Sequence, residues 1–203
     1  VTFNLIPLKA QNLGCKRGNQ WVFENLNFSV APGEILYLKG PNGSGKSSLL
    51  RILAGFLLPA KGVLTLPFSS DQDPLIMYLA EEGSLQKELT VKEHFTLWQH
   101  LYFSDSSLQE RVHFFNLEDI QNVPIKKLSK GEKRRLLLSR LLHGTYHLWL
   151  LDEPTLGLDA KGMSLFHRLL EQHLSAQGII VMATHMDTSS LPFSGHTITL
   201  GAS

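Results

Sequence analysis

Gly40-Pro41-Asn42-Gly43-Ser44-Gly45-Lys46-Ser47 decides the fold. The run fits the phosphate-loop pattern G-x-x-x-x-G-K-[ST]. It follows an apolar strand-like stretch, Ile35 to Lys39, and opens a helical pattern, Ser47 to Ala54. Its glycines let the backbone turn sharply and bring several N–H groups onto one phosphate. The helix starting there adds the positive end of its dipole. Lys46 can reach the β- and γ-phosphates, Ser47 can ligate Mg²⁺, and Ser48 completes the lining. A purely structural glycine-rich turn would not need the whole strand–loop–helix pattern, so nucleotide binding is expected.

The elements on either side read as alternating strands and helices. Upstream, Leu8 to Gly14 and Trp21 to Val30 have strand character, with Ala31-Pro32-Gly33-Glu34 as a turn. Gly55 stops the helix after the loop. A short strand at Val63 to Leu66 and a polar loop at Ser69 to Pro74 lead to a buried strand at Leu75 to Ala80. From about Thr90 to Phe115 the pattern is helical, with Phe95, Trp98, Leu101 and Tyr102 on one stripe. Ser129 caps a helix through Leu136, Leu137, Leu141 and Leu142. Then come a strand at Leu148 to Leu151, a helix through Leu165 and Leu169, and strands at Ile179 to Ala183 and Thr197 to Leu200. This alternation implies an α/β fold with a mainly parallel sheet covered on both faces. The helical stretch from 85 to 140 is expected to be a subdomain inserted into it.

Two further stretches carry chemistry. Leu148-Trp149-Leu150-Leu151-Asp152-Glu153 is an apolar strand ending in two carboxylates. Such a strand delivers Asp152 to the Mg²⁺ shell beside the phosphate loop, while Glu153 points elsewhere and can polarise an attacking water. Leu128-Ser129-Lys130-Gly131-Glu132, taken alone, is a capping box, with Ser129 as N-cap and an acid three residues on. Thr184-His185 follows the Ile179 to Ala183 strand, at the sheet end where open α/β folds bind ligands.

Taken together, these residues resemble the nucleotide-binding domain of ATP-binding cassette (ABC) transporters over nearly the whole chain. The resemblance implies a P-loop ATPase core with a mainly parallel sheet, an N-terminal antiparallel β part and the helical insertion. It implies one nucleotide-binding domain over 1–203 without a C-terminal regulatory domain. Leu128, Ser129, Lys130, Gly131 and Glu132 fall on the family's signature loop, where Ser129 and Gly131 would grip the γ-phosphate held by a second copy. That arrangement is a head-to-tail homodimer formed with ATP. Leu156-Gly157-Leu158-Asp159 matches the loop that crosses the dimer, with Asp159 as its acid, and His185 matches a γ-phosphate contact. ATP as substrate, Mg²⁺ and a separate membrane-spanning transporter subunit follow from the same resemblance.

The chain departs from that family at three places. Glu82 falls where the family has a glutamine that senses Mg²⁺ and the γ-phosphate, and Glu132 replaces the signature's final glutamine. An ionised glutamate accepts hydrogen bonds but cannot donate one. The aromatic that usually stacks on adenine is missing upstream, where Cys15-Lys16-Arg17 stands. Cys-x-Arg followed by Val22-Phe23-Glu24-Asn25-Leu26-Asn27-Phe28 resembles the ATP-binding subunits of bacterial cytochrome c maturation systems, the haem exporters. Glu88 to Phe95 and Val123 to Ser129 share that likeness. It implies a peripheral protein on the cytoplasmic side of the inner membrane, whose stroke exports haem or frees a haem-loaded chaperone. Its membrane partner would dock near Glu82 and the helices at 91 to 115, where Phe95, Trp98 and Phe103 are expected to be partly exposed. An ABC transporter for lipid, peptide or drug, and a soluble ABC ATPase acting on nucleic acid, are the alternatives.

Composition bears on these alternatives. The 203 residues suffice for one sizeable core, and 43% hydrophobic with 18% charged residues is the balance of a globular protein. A net charge of +1 gives no global attraction to nucleic acid. Lys130, Lys133, Arg134 and Arg135 read as a solvated helix face interrupted by Glu132. Cys15 is the single cysteine, so no intrachain disulfide or CxxC site can form, as suits a reducing compartment. Cys15 itself reads as a small buried strand residue, and neither it nor Arg17 as a haem ligand. No apolar run reaches membrane-spanning length and no leader is evident, while the missing initial Met suggests a trimmed start. His143 and His147 have i, i+4 spacing, but Gly144 is expected to end the helix between them. Apart from His185, the histidines read as surface or capping groups.

Overall fold

The computed structural model describes residues 6–68, 76–80, 85–102, 108–142, 146–188, 191, 193 and 195–201. β1 (Leu8–Arg17) and β2 (Gln20–Val30) form an antiparallel hairpin that closes at Arg17 and Gln20. β4 (Lys61–Thr65) pairs antiparallel with the other edge of β1, giving the order β2-β1-β4. β1 runs to Arg17, beyond the expected end at Gly14. Its pairing with β2 persists through register shifts at Ala10/Leu13, Leu13/Cys15 and Cys15/Lys16. Cys15 is buried in it, and burial pushes its thiol up.

The second sheet has the order β5-β6-β7-β3-β8. Its strands are β3 (Ile35–Lys39), β5 (Ile76–Leu79), β6 (Leu148–Asp152), β7 (Ile179–Ala183) and β8 (Gly195–Thr199). The pairs β6/β7, β7/β3 and β3/β8 are all parallel. Every residue of β6 and β7 is buried, and all but Asp152 are apolar, the signature of parallel strands covered on both faces. α1 (Lys46–Leu53) follows the phosphate loop and packs on β6 and β7 through its buried side chains, Leu49, Leu50, Ile52 and Leu53 among them. Gly55, at φ +76°, ends it as expected: its N–H donates to Ile52 O and that of Phe56 to Arg51 O, a Schellman closure.

The chain divides into two compact units. The first comprises Val1–Tyr78, Tyr146–Glu153 and Glu171–Ser203; the second comprises Leu79–Thr145 and Pro154–Leu170. In the second unit the helical pattern forms α2 (Val91–Tyr102) and α3 (Leu108–Phe114). Thr90 caps α2 through a reciprocal pair with Glu93. α4 (Lys130–Leu138) tightens into a 3-10 turn over Ser139–Leu142, and α5 spans Ala160–Ser175.

Three surface expectations are corrected. Phe95 and Trp98 are 0% and 5% exposed, because the covered stripe of α2 is Val91, His94, Phe95 and Trp98. Leu97 and Leu101 are the exposed apolar residues of that helix, and Phe103 lies outside the described residues. Arg134 is buried, with Nε donating to Pro154 O at 2.7 Å, so the basic run of α4 is not simply a solvated face. His94 and His173 are buried rather than on the surface.

Candidate functional site

In the first unit, the loop from Gly40 to Gly45 joins β3 to α1 at the C-terminal edge of the parallel sheet. Gly40 has φ +137°, and a Cβ there would lie 2.3 Å from Leu200 O and 2.7 Å from Ser44 Oγ. Gly45 has φ +102°, and a Cβ there would strike Val22 at 2.5 Å. Only glycine lets the loop fold this tightly. Gly45 caps α1 without a side-chain bond, and the first turn of α1 carries no acid. The first N–H groups of a helix have no intrahelical acceptor, so this end of α1 favours an anion.

Lys46 is 8% exposed, and its ammonium donates to the loop carbonyls of Gly40 and Pro41 at 2.8 and 3.1 Å. Its Nζ is 3.4 Å from His185 Nε2, which is also 3.1 Å from Asn42 Oδ1 and 3.6 Å from Glu153 Oε1. One imidazole nitrogen either accepts or donates. As an acceptor it receives a hydrogen bond from Lys46; as a donor it turns to Asn42 or Glu153. His185 thus links the loop to the acid at the end of β6.

Asp152 is the last residue of β6 and is 5% exposed. Glu153 takes φ +44°, a left-handed conformation costing about 1–2 kcal/mol for a residue with a side chain. Its N–H is held by Ala183 O at 2.9 Å, and its carboxylate accepts from the His185 N–H at 3.3 Å. The turn breaks strand alternation, so the two acids serve different places. Ser47 and Asp152 offer hard oxygen donors, and α1 packs directly on β6. That pair suits Mg²⁺, which typically takes one or two protein oxygens and fills its shell with water and substrate phosphates.

Of two further neighbours, Arg17 stands out in the sequence without a partner and Tyr78 does not stand out at all. Arg17, on β1, donates to Ser48 Oγ at 3.3 Å, which brings a guanidinium to the start of α1 in addition to the Lys46 ammonium. Tyr78 is pushed up chiefly by burial; a hydrogen bond from Arg51 lowers it and the Asp152 carboxylate adds to the rise. The Cys-x-Arg pattern could have suggested Arg17, but nothing in the sequence links Tyr78 to Asp152.

The second unit holds the other group. Ser129 is the N-cap of α4; its N–H and Oγ both donate to Glu132 Oε2 at 2.7 Å, and its Oγ accepts from the Glu132 N–H at 3.2 Å. The Glu132 carboxyl is held below the usual range, first by the Ser129 hydroxyl and then by the Ser129 N–H. Asp159 Oδ1 accepts from the Gly162 N–H at 2.7 Å, and Oδ2 pairs with Arg135 Nη1 at 2.8 Å. These contacts hold the Asp159 carboxyl low, the Gly162 N–H most strongly. A Cβ on Gly131 would lie 3.6 Å from Gly157 O, so the loops at 128–132 and 156–159 face one another. Glu82, His143 and Gly144 lie outside the described residues.

The family model for ABC transporters matches residues 23–156. A cytochrome c biogenesis ATP-binding export protein CcmA from Rhizobium etli is 40% identical over 190 residues, covering 88% of this chain and 87% of that protein. The chain belongs to the ABC transporter family. A CcmA of Rhodopseudomonas palustris (strain BisB5) is 37% identical over 96% of this chain and 98% of its own length. An ABC transporter ATP-binding protein from Pyrococcus furiosus shares the fold, with TM-score 0.80, 21% identity and coverage of 96% and 98%. An ATP-binding cassette solved as a dimer in a post-hydrolysis state with ADP and Pi has TM-score 0.76 and 25% identity, covering 95% of this chain and 94% of that one. The chain is accordingly an ABC ATPase, which binds ATP and hydrolyses it. Among the described residues, no helix is long and apolar enough to cross a membrane.

Proposed function

We propose that this ABC ATPase is the ATP-hydrolysing subunit of an export complex for cytochrome c maturation. The observation that carries the chemistry is the convergence of Lys46, Asn42, Glu153 and His185 at one edge of the parallel sheet. Support for the cargo comes from relatives at about 40% identity that are named for cytochrome c biogenesis and export.

The nucleotide phosphates lie on the loop from Gly40 to Ser48, with Lys46 leaving its carbonyl partners for the β- and γ-oxygens. Ser47 and Asp152 would hold Mg²⁺, which when bound would supply positive charge against the phosphates. Glu153 orients and polarises the attacking water, and His185 meets the γ-phosphate while its N–H bond keeps Glu153 in place. A second copy, docked head to tail, supplies Ser129 and Gly131, with Asp159 at the crossing. Exposed Leu156, beside that acid, suits burial in such a dimer. Glu82 is assigned the sensor position. The chain works as one nucleotide-binding domain with the helical insertion at 85–140, on the cytoplasmic side of the bacterial inner membrane. It moves a separate membrane-spanning subunit and has no haem ligand of its own.

The test is Glu153→Gln in the source bacterium, followed by staining of periplasmic proteins for covalent haem. The expected result is loss of haem-bearing c-type cytochromes while the variant still accumulates. Unchanged staining, with ATPase activity of the purified variant abolished, would assign the subunit to another cargo.

A further inference from the structure

The bonds around Ser129 have a consequence for nucleotide capture. A serine hydroxyl carries one proton. Here that proton goes to Glu132 Oε2 at 2.7 Å, and a lone pair of the same oxygen takes the Glu132 N–H at 3.2 Å. A carboxylate has no proton to return, so Ser129 Oγ has acceptor capacity alone to offer any incoming group. A phosphate oxygen is itself an acceptor, so the hydroxyl cannot bind one until it leaves Glu132. The carboxylate also stands one hydrogen bond from the oxygen that would meet the phosphate, and the two anions repel. Bonds to an ionised acceptor are roughly twice as strong as neutral ones. The Ser129 N–H reinforces this bond by donating to the same oxygen.

We infer that Glu132 is a positioning residue that latches the Ser129 hydroxyl, so that closure of two chains on ATP requires the latch to be broken. This rests on the reading that the loop at 128–132 grips the nucleotide of a second copy. In this chain the latch raises the ATP concentration at which the dimer forms. A glutamine at 132 can still accept from the Ser129 N–H and so keep the cap. Its oxygen is neutral and holds the hydroxyl proton less firmly, and its charge no longer opposes the phosphate.

The experiment uses full chains carrying Glu153→Gln, so that ATP is retained, and follows ATP-driven dimerisation by sedimentation velocity. Adding Glu132→Gln is expected to lower the half-saturating ATP concentration about tenfold. A purely structural role for Glu132 would change the melting temperature and leave that concentration where it was. Ser129→Ala, added separately, separates the two levels of the argument. If Ser129→Ala abolishes dimerisation and Glu132→Gln shifts nothing, the latch is refuted while the loop's role stands. If Ser129→Ala dimerises normally, the reading of the loop fails and the latch with it.

Discussion

The loops at 40–48 and 128–132 both begin a helix, yet they are held by opposite means. The first is shaped by backbone: Gly40 and Gly45 have positive φ and stand closer to Leu200 O and Val22 than any Cβ permits. Its one charged side chain, Lys46, is buried on the loop's own carbonyls. The second is shaped by side chains, three bonds between Ser129 and Glu132, and Gly131 has ordinary room around it. A backbone-built site tolerates almost no substitution, and its loop is shaped before its ligand arrives. A side-chain-built site is retuned by one charge. In this chain the charge that tunes the second loop is that of Glu132.

The largest expected effect is at Lys46. Lys46→Ala removes the charge-assisted contact to the phosphates and should weaken ATP binding by about a hundredfold or more, measured by titration with a fluorescent analogue. Gly40→Ala comes next. The clash with a backbone carbonyl, added to a positive φ, should cost about 3 kcal/mol in a denaturant melt.

Acid should act on the core. His94 and His173 are pushed down to about 4, chiefly by burial, from an ordinary 6.5, with Arg140 adding to the effect on His94. The unfolded chain then binds more protons than the folded one between those values. Stability is full above about pH 6.5 and is lost as pH falls toward 4. Melting curves across that window should show the loss, and His94→Phe should remove part of it. The smallest effect sharpens the contrast between the loops. Gly131→Ala, inside α4, should leave stability unchanged or raise it by up to about 1 kcal/mol. A marked loss of stability would mean that the second loop is backbone-built as well.

Much of this was legible in the sequence. The phosphate loop announces itself because each of its residues has a chemical reason to be there. The Ser129 cap and the stop at Gly55 follow from local rules that the surrounding fold does not override. What was not legible depends on partners distant in the chain. Phe95 and Trp98 sit on a stripe whose spacing says helix, but spacing cannot say which of two apolar flanks is covered. His94 lies on that same stripe, its ring tilted against Trp98 with centroids 3.9 Å apart, so its burial was readable once the stripe was drawn through Val91. The bond from Arg17 to Ser48 joins residues 31 positions apart and has no local signature. The left-handed turn at Glu153 was invisible because glutamate has no preference for it.

The central claim, that each ATP is held by Lys46 of one chain and Ser129 of another, is tested most directly by mixing chains. Lys46→Ala and Ser129→Arg variants, each also carrying Glu153→Gln, are combined with ATP and examined by sedimentation velocity. Neither variant alone should dimerise, whereas the mixture should, because a mixed pair contains one intact site. Failure of the mixture to dimerise, under conditions where the Glu153→Gln chain does, would contradict the head-to-tail site.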